Sequence, residues 1–89
     1  MKELLLKIGI SEPGYFLDSK TYVIDFENST QYSKAFSKLD KTDLVEELVD
    51  SSVSNTSISN VMYTNDDYLL NIIADFDNNE YKLIVHKLN

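Results

Sequence analysis

Cysteine, arginine and tryptophan are absent from this sequence of 89 residues, which also contains only one proline and two glycines. Without cysteine the chain has no disulfide, no thiolate zinc site and no thiol nucleophile. Two glycines are too few for a P-loop or a dinucleotide-binding fingerprint. The scarcity of proline and glycine, beside 43% apolar residues, argues against a disordered chain. These absences predict a folded domain that lacks most residue sets used by enzymes.

The chain carries an excess of negative charge. Fifteen Asp and Glu residues oppose eight Lys, so the formal net charge is −7. Binding to nucleic acid or to anionic membranes is disfavoured, because both need clustered Lys or Arg. The apolar runs are too short for a signal peptide or a membrane span, which predicts a cytoplasmic protein. An acidic surface favours a basic protein partner, or it serves only to keep the protein soluble.

Length and hydrophobic periodicity predict a single domain, residues 1–89, of the α+β class. Alternation with a period of two predicts strands at residues 3–10 and 20–27. A β-prone run from Ile58 to Thr64, followed by alternating runs that begin at Tyr68 and Tyr81, predicts a three-strand meander. Pro13 and Gly14 predict a type II turn at residues 12–15. The predicted order is β-β-α-α-β-β-β: a mainly antiparallel sheet of about five strands with one or two helices packed on one face.

Between the predicted strands the apolar period lengthens to 3.6 residues. An amphipathic helix, capped by Asn28 or Ser29, is predicted from four residues at helical spacing, Tyr32, Ala35, Phe36 and Leu39. A second helix, or a kinked continuation, is predicted from the next apolar set, Leu44, Val45, Leu48 and Val49. The polar segment at residues 50–57 is predicted to be a surface loop, and turns are predicted at residues 65–67 and 77–79.

The predicted second helix carries a stripe of carboxylates. Acidic residues at i, i+3, i+4 and i+7 are Asp43, Glu46, Glu47 and Asp50, and Asp40 extends the stripe. Like charges at this spacing should cost about 0.2–0.5 kcal/mol per pair, so local stability does not explain them. In a helix their intervals average roughly 3.5 Å, near the ~3.4 Å of one DNA strand. The stripe therefore suggests nucleic-acid mimicry, and a solvated acidic face is the equally weighted alternative.

Residue sets for catalysis or metal binding are scarce. His86 is the single histidine, and no cysteine or Gly-x-Ser-x-Gly elbow accompanies it. The segment from Asp75 to Asn79 begins like a calcium loop, but Glu80 stands where such a loop needs glycine. The sequence therefore predicts a protein that is not an enzyme, with no catalytic residues, no metal site and no cofactor.

The leading functional hypothesis is an inhibitor that occupies a basic groove of a nucleic-acid-handling protein. Antirestriction, anti-CRISPR and immunity proteins work in this way, and the likeness to them is one of size and acidity. The predicted partner-binding residues are Asp40, Asp43, Glu46, Glu47, Asp50, Tyr63 and Tyr68, with Tyr15 as a further aromatic anchor. Burial in the core is the other expected position of these tyrosines.

The alternative hypothesis is a structural module that self-associates through its C-terminal meander. An edge of the meander would pair with a second copy and bury Ile73, Ile84 and Leu88 across a two-fold interface. In that homodimer the acidity of the chain is incidental. A small enzyme is the third and least favoured class.

Overall fold

A computed structural model describes residues 2–42, 45–48 and 58–88 as a six-stranded antiparallel sheet with two helices on one face. In chain order the elements are α1 (Lys2–Ile8), β1 (Tyr15–Asp18), β2 (Thr21–Phe26), α2 (Ser29–Asp40), β3 (Val45–Leu48), β4 (Ile58–Thr64), β5 (Tyr68–Asp75) and β6 (Glu80–Lys87). The strands are arranged β1-β2-β6-β5-β4-β3. The predicted α+β class, with a mainly antiparallel sheet, is confirmed. No helix in the described residues is long and apolar enough to cross a membrane.

One face of the sheet forms the hydrophobic core. Alternate residues of four strands are buried there: Tyr22, Ile24, Phe26, Val61, Tyr63, Leu70, Ile72, Ala74, Tyr81, Leu83 and Val85. The helical side contributes Leu5, Ile10, Tyr32, Ala35 and Leu39 to the same cluster. Because both helices join this one cluster, they cover the same face of the sheet.

The helix α2 begins at the predicted cap. Asn28 is the N-cap residue, and its Oδ1 accepts a hydrogen bond from the backbone N–H of Gln31 at 2.9 Å. The Oε1 atom of Gln31 in turn accepts from the backbone N–H of Glu27 at 2.9 Å. These two bonds satisfy free donors at the start of the helix. The predicted amphipathic helix and its cap are thus confirmed.

The N-terminal segment is a helix, so the strand predicted at residues 3–10 is wrong. Gly9, with φ of 96°, ends α1. Its N–H donates to the carbonyl of Leu6 at 3.1 Å, and the N–H of Ile10 donates to the carbonyl of Leu5 at 2.9 Å. This pair of bonds is a Schellman motif. The apolar pattern fits both periods, and the signals that decide for a helix are the Leu, Lys and Glu residues followed by glycine.

The type II turn predicted at residues 12–15 is also wrong, because Gly14 lacks the positive φ that such a turn requires. The chain passes directly into the edge strand β1, which the sequence did not predict. A Cβ atom on Gly14 would lie 2.4 Å from the carbonyl oxygen of Val23 and 2.8 Å from the ring of Tyr22. Glycine is needed here for the close approach to β2.

Residues Val45–Leu48 form the strand β3, so the helix predicted in this region is wrong. The strand pairs antiparallel with β4, from Val45 opposite Thr64 to Leu48 opposite Val61. This pairing supplies hydrogen-bond partners to an edge of β4 that would otherwise be free. It also avoids the like-charge pairs that a helix would place at i and i+4. The predicted loop at residues 50–57 lies outside the described residues.

The meander has the predicted turns. Oδ1 of Asn65 accepts hydrogen bonds from the backbone N–H groups of Asp67 at 2.8 Å and Tyr68 at 2.7 Å. The carboxylate of Asp75 accepts from the side-chain amide of Asn78 at 2.8 Å in the next turn. Such side-chain to backbone and side-chain to side-chain bonds explain why Asn and Asp occupy turns.

Candidate binding surface on the open face of the sheet

The predicted acidic stripe depended on helical spacing, and residues 45–48 form a strand instead of a helix. Glu46 and Glu47 are consecutive residues of β3, and consecutive positions of a strand alternate between the two faces of a sheet. Asp43 and Asp50 lie outside the described residues. The helical interval of roughly 3.5 Å is therefore not a property of this backbone. The inhibitor function stays a prediction, without the spacing that suggested mimicry.

The other predicted site residues lie on the core side or at an edge. Tyr63 is 1% exposed, and its hydroxyl donates a hydrogen bond to the carboxylate of Asp40, at the end of α2. Tyr68 is half-buried and packs against the core. Tyr15, on the edge strand β1, is 49% exposed. Within the described residues the structure brings Asp40 and Tyr63 together and does not gather the predicted set on one surface.

The face of the sheet opposite the helices is apolar at its centre, and no described helix covers it. We call it the open face, and its central residues are Val23, Asn60, Met62, Leu69, Asn71, Ile73 and Ile84. Val23 is 3% exposed, and the other six are half-buried by their neighbours on the sheet. The sequence predicted Ile73 and Ile84 as residues of a self-association surface, but it did not predict this continuous surface.

The register of the strands makes this surface continuous. Val23 lies opposite Ile84, which lies opposite Asn71, which lies opposite Met62. Side chains directly opposite each other on neighbouring strands are in contact distance. With strands about 4.8 Å apart, this row of four residues spans about 14 Å across the sheet.

Two buried amide oxygens lie within this apolar surface. Oδ1 of Asn60 and Oδ1 of Asn71 are buried, and neither has a hydrogen-bond partner in the part of the chain that the structure describes. A buried acceptor without a donor costs about 1–3 kcal/mol of stability. The sequence signal that points to this site is an asparagine inside a strand that is otherwise β-prone, as at Asn71 between Leu70 and Ile72.

Carboxylates flank the open face at the end nearest the turn between β5 and β6. Asp25 lies opposite Lys82, and Asp75 lies opposite Glu80. The ammonium of Lys82 is 3.8 Å from the carboxylate of Asp25, and both side chains are exposed, so this ion pair adds little stability. This end of the face therefore presents three carboxylates and one ammonium group.

At the opposite end, the single histidine contacts a hydroxyl group. Oγ1 of Thr21 and Nδ1 of His86 are 2.9 Å apart. The neighbouring carboxylate of Asp18 accepts a hydrogen bond from the backbone N–H of Lys20 at 2.8 Å. This bond, with a smaller contribution from the side chain of Thr21, holds the pKa of Asp18 below its usual value, against a weaker effect of desolvation. Asp18 therefore adds a further negative charge at this end of the open face.

Comparisons of the chain with protein-family models, with curated proteins and with solved structures find no match. Within the described residues there is also no group of three or more side chains that could hold a metal ion. The chemistry of the open face therefore carries the functional inference.

Proposed function

We propose that the protein is a non-enzymatic binding module that docks a basic protein partner on its open face. The observation that supports this most directly is the pair of buried, unpartnered oxygens of Asn60 and Asn71 on an apolar surface. In the isolated chain these acceptors are destabilising, and aliphatic residues at the same positions would remove that penalty. When a docked partner donates N–H groups to these oxygens, the new hydrogen bonds remove the desolvation cost, and this gain adds to the free energy of binding.

The charges around the face favour a basic partner. Asp25, Asp75 and Glu80 flank one end, and the chain as a whole carries a net charge of −7. Lys and Arg side chains supply only hydrogen-bond donors, which match both the carboxylates and the two amide oxygens. The rim charges speed association, and the aliphatic centre supplies the desolvated contacts that hold the complex.

The size of the open face fits a transient complex. Four strands at about 4.8 Å and a strand length of eight residues at about 3.4 Å give a surface of about 19 by 27 Å. Two partners in contact over this area bury about 1,000 Å² in total, which is the low end for specific protein interfaces. Interfaces of this size are common in signalling and other reversible encounters.

Inhibition of a nucleic-acid-handling protein is the concrete form of this proposal. Such proteins have basic surfaces that bind phosphate backbones. In this form, the acidic rim of the open face takes the role that the helical stripe had in the sequence prediction. A cytoplasmic location belongs to the same proposal, since a chain without cysteine suits a reducing compartment.

A second copy of the chain is the second candidate partner. Ile73 and Ile84, two of the residues predicted for self-association, do lie on the open face. However, β5 and β6 are interior strands, so their backbones have no free edge for pairing with another copy. Self-association would instead pack two open faces together, as in a β-sandwich. It would also bring together two chains of charge −7, which places it behind a basic partner.

Site-specific photo-crosslinking in the native host tests the proposal. A benzophenone-bearing amino acid replaces Met62 on the open face in one variant, and Leu6, which is 72% exposed on α1, in the control. We expect the Met62 variant alone to cross-link to a basic protein. When that protein is purified, its dissociation constant for the natural chain should rise about tenfold from low to high salt.

Each other outcome contradicts part of the proposal. Cross-linking from Met62 mainly to a second copy of the chain would support self-association and overturn the basic partner. Equal products from Met62 and Leu6 would show that the open face is not the docking surface. Binding that salt does not weaken would show that the carboxylates around the face do not contribute, and it would overturn the basic partner.

A further inference from the structure

A pocket on the helix side of the sheet gathers three of the eight lysines in the chain. It lies between α1, the end of α2 and the turn from β4 to β5, and its volume is about 450 Å³. Lys7, Lys38 and Lys41 line it together with Leu4, Ile8 and Asn65. This volume falls within the range of small-molecule sites, about 300–1,000 Å³.

None of these three lysines forms an ion pair in the part of the chain that the structure describes. Within the described ranges, the ion pair between Lys82 and Asp25 is the single one with an N–O distance of 4.0 Å or less. Lys7 and Lys41 are therefore unpaired in a chain in which fifteen acidic residues outnumber eight lysines. Because charges of one sign converge on a pocket with partly apolar walls, their field is focused there, and an anion is attracted.

Each of the three lysines lies at the C-terminal end of a helix, where a cation is favoured, but this does not explain why they line one cavity. The ammonium of Lys38 donates to the carbonyl of Gly9, the residue that follows α1, and so links that segment to α2. No such contact is made by Lys7 or Lys41 among the residues described. Lys7 lies in the last turn of α1 and Lys41 is the C-cap residue of α2, yet both line one cavity, which a separate role at each helix end does not require.

The remaining walls of the pocket suit a molecule with an apolar part. Leu4 and Ile8, one turn apart on α1, are half-buried and pack against the core. Across the pocket, Oδ1 of Asn65 already accepts two backbone hydrogen bonds, so its side chain has its amide N–H groups left to donate. The pocket thus combines an aliphatic wall with ammonium and amide donors.

We infer that this pocket binds a small organic anion, with the head group between Lys7 and Lys41 and the apolar part against Leu4 and Ile8. The ligand chemistry is a negatively charged oxygen group, either carboxylate or phosphate, on a short aliphatic chain. The site lies on the opposite side of the sheet from the open face, and it does not depend on the proposed function.

Titration of the intact chain, followed by the NMR signals of its backbone amides, tests the inference. The probes are octanoate, octyl phosphate and octylammonium. We expect the two anions to shift the amides of Lys7, Lys41 and Asn65 in a saturable way, and octylammonium to leave them unchanged. The tighter of the two anions identifies the head group that the site prefers.

A charge-matched pair of variants separates the pocket from the general field of the protein. The test variant combines Lys7→Gln with Lys41→Gln, and the control combines Lys20→Gln with Lys34→Gln, so that both lose two positive charges. We expect the test variant to bind the preferred anion at least about tenfold more weakly and the control to change less than about twofold. All four lysines are exposed, so both variants should keep the unfolding midpoint of the natural chain.

The inference is overturned by any of four results. These are no saturable shift with either anion, equal binding of octylammonium, equal weakening in both variants, or shifts centred on the open face instead of the pocket.

Discussion

The same strands form both faces of the sheet, but the two faces differ in burial and in the hydrogen bonding of their polar groups. Ile72 is 0% exposed beneath the helices, whereas its neighbour Ile73 is half-buried on the open face. On the core side the hydroxyl of Tyr63 is bonded to Asp40, while on the open face two buried amide oxygens have no partner among the described residues. Oε2 of Glu12, in the segment after α1, is a third buried oxygen without a partner among the described residues, so what sets the open face apart is its apolar surface that no described helix covers.

The largest expected difference between the two faces is in the loss of stability when the same substitution is made on each. Ile72→Ala should lower the free energy of unfolding by about 2–5 kcal/mol, because it leaves a cavity under the helices. Ile73→Ala, one residue along the same strand, should cost less than about 1.5 kcal/mol, because the site is already partly in water. Urea unfolding of both variants measures the difference. Equal losses would show that the open face is packed as tightly as the core.

A smaller effect is expected where β1 meets β2. Gly14→Ala places a methyl group 2.4 Å from the carbonyl oxygen of Val23. The strand must shift, at a cost of about 1–3 kcal/mol. Thermal unfolding measures this cost, and loss of the nuclear Overhauser contacts between Tyr15 and Val23 would locate it. An unchanged melting temperature would contradict the close approach of these strands.

The cap of α2 tests whether stability on the helix side is independent of the open face. Asn28→Ala removes the hydrogen bond to the N–H of Gln31 and should cost about 1 kcal/mol. Ser29→Ala, the first residue inside the helix, is the control and should change stability by less than about 0.5 kcal/mol. Binding of the partner should be the same in both variants. A loss of binding in Asn28→Ala alone would show that the two faces are coupled.

Segments with one clear period could be predicted from the sequence. The strand Thr21–Phe26 has a period of two and the helix Ser29–Asp40 has a period of 3.6, and both predictions are confirmed. The segment at residues 2–8 is short and fits both periods, while the segment at residues 45–48 has helical spacing but forms a strand, so the structure of both depends on what they pack against or pair with. For the first, the glycine that ends the helix was the available signal. For the second, the deciding factor is pairing with the free edge of β4, the next strand in the chain, which no pattern within residues 45–48 shows.

The candidate surface was harder to predict than the fold. The sequence predicted Ile73 and Ile84 for self-association, but it could not show whether a helix covers their side of the sheet. Which face stays open follows from the packing of both helices on one core. The contact between Tyr63 and Asp40, across 23 residues of sequence, is likewise a product of the fold. Only the asparagines inside the strands gave a local signal for the open face.

The change Asn71→Leu tests the central claim most directly, because stability and binding should move in opposite directions. It removes a buried acceptor without a partner and adds an aliphatic side chain between Ile84 and Met62. We expect the free energy of unfolding to rise by about 0.5–1 kcal/mol in urea, and binding of the partner cross-linked at Met62 to weaken by about tenfold. A less stable variant, or an equally stable one with unchanged affinity, would contradict the claim that the open face binds a partner.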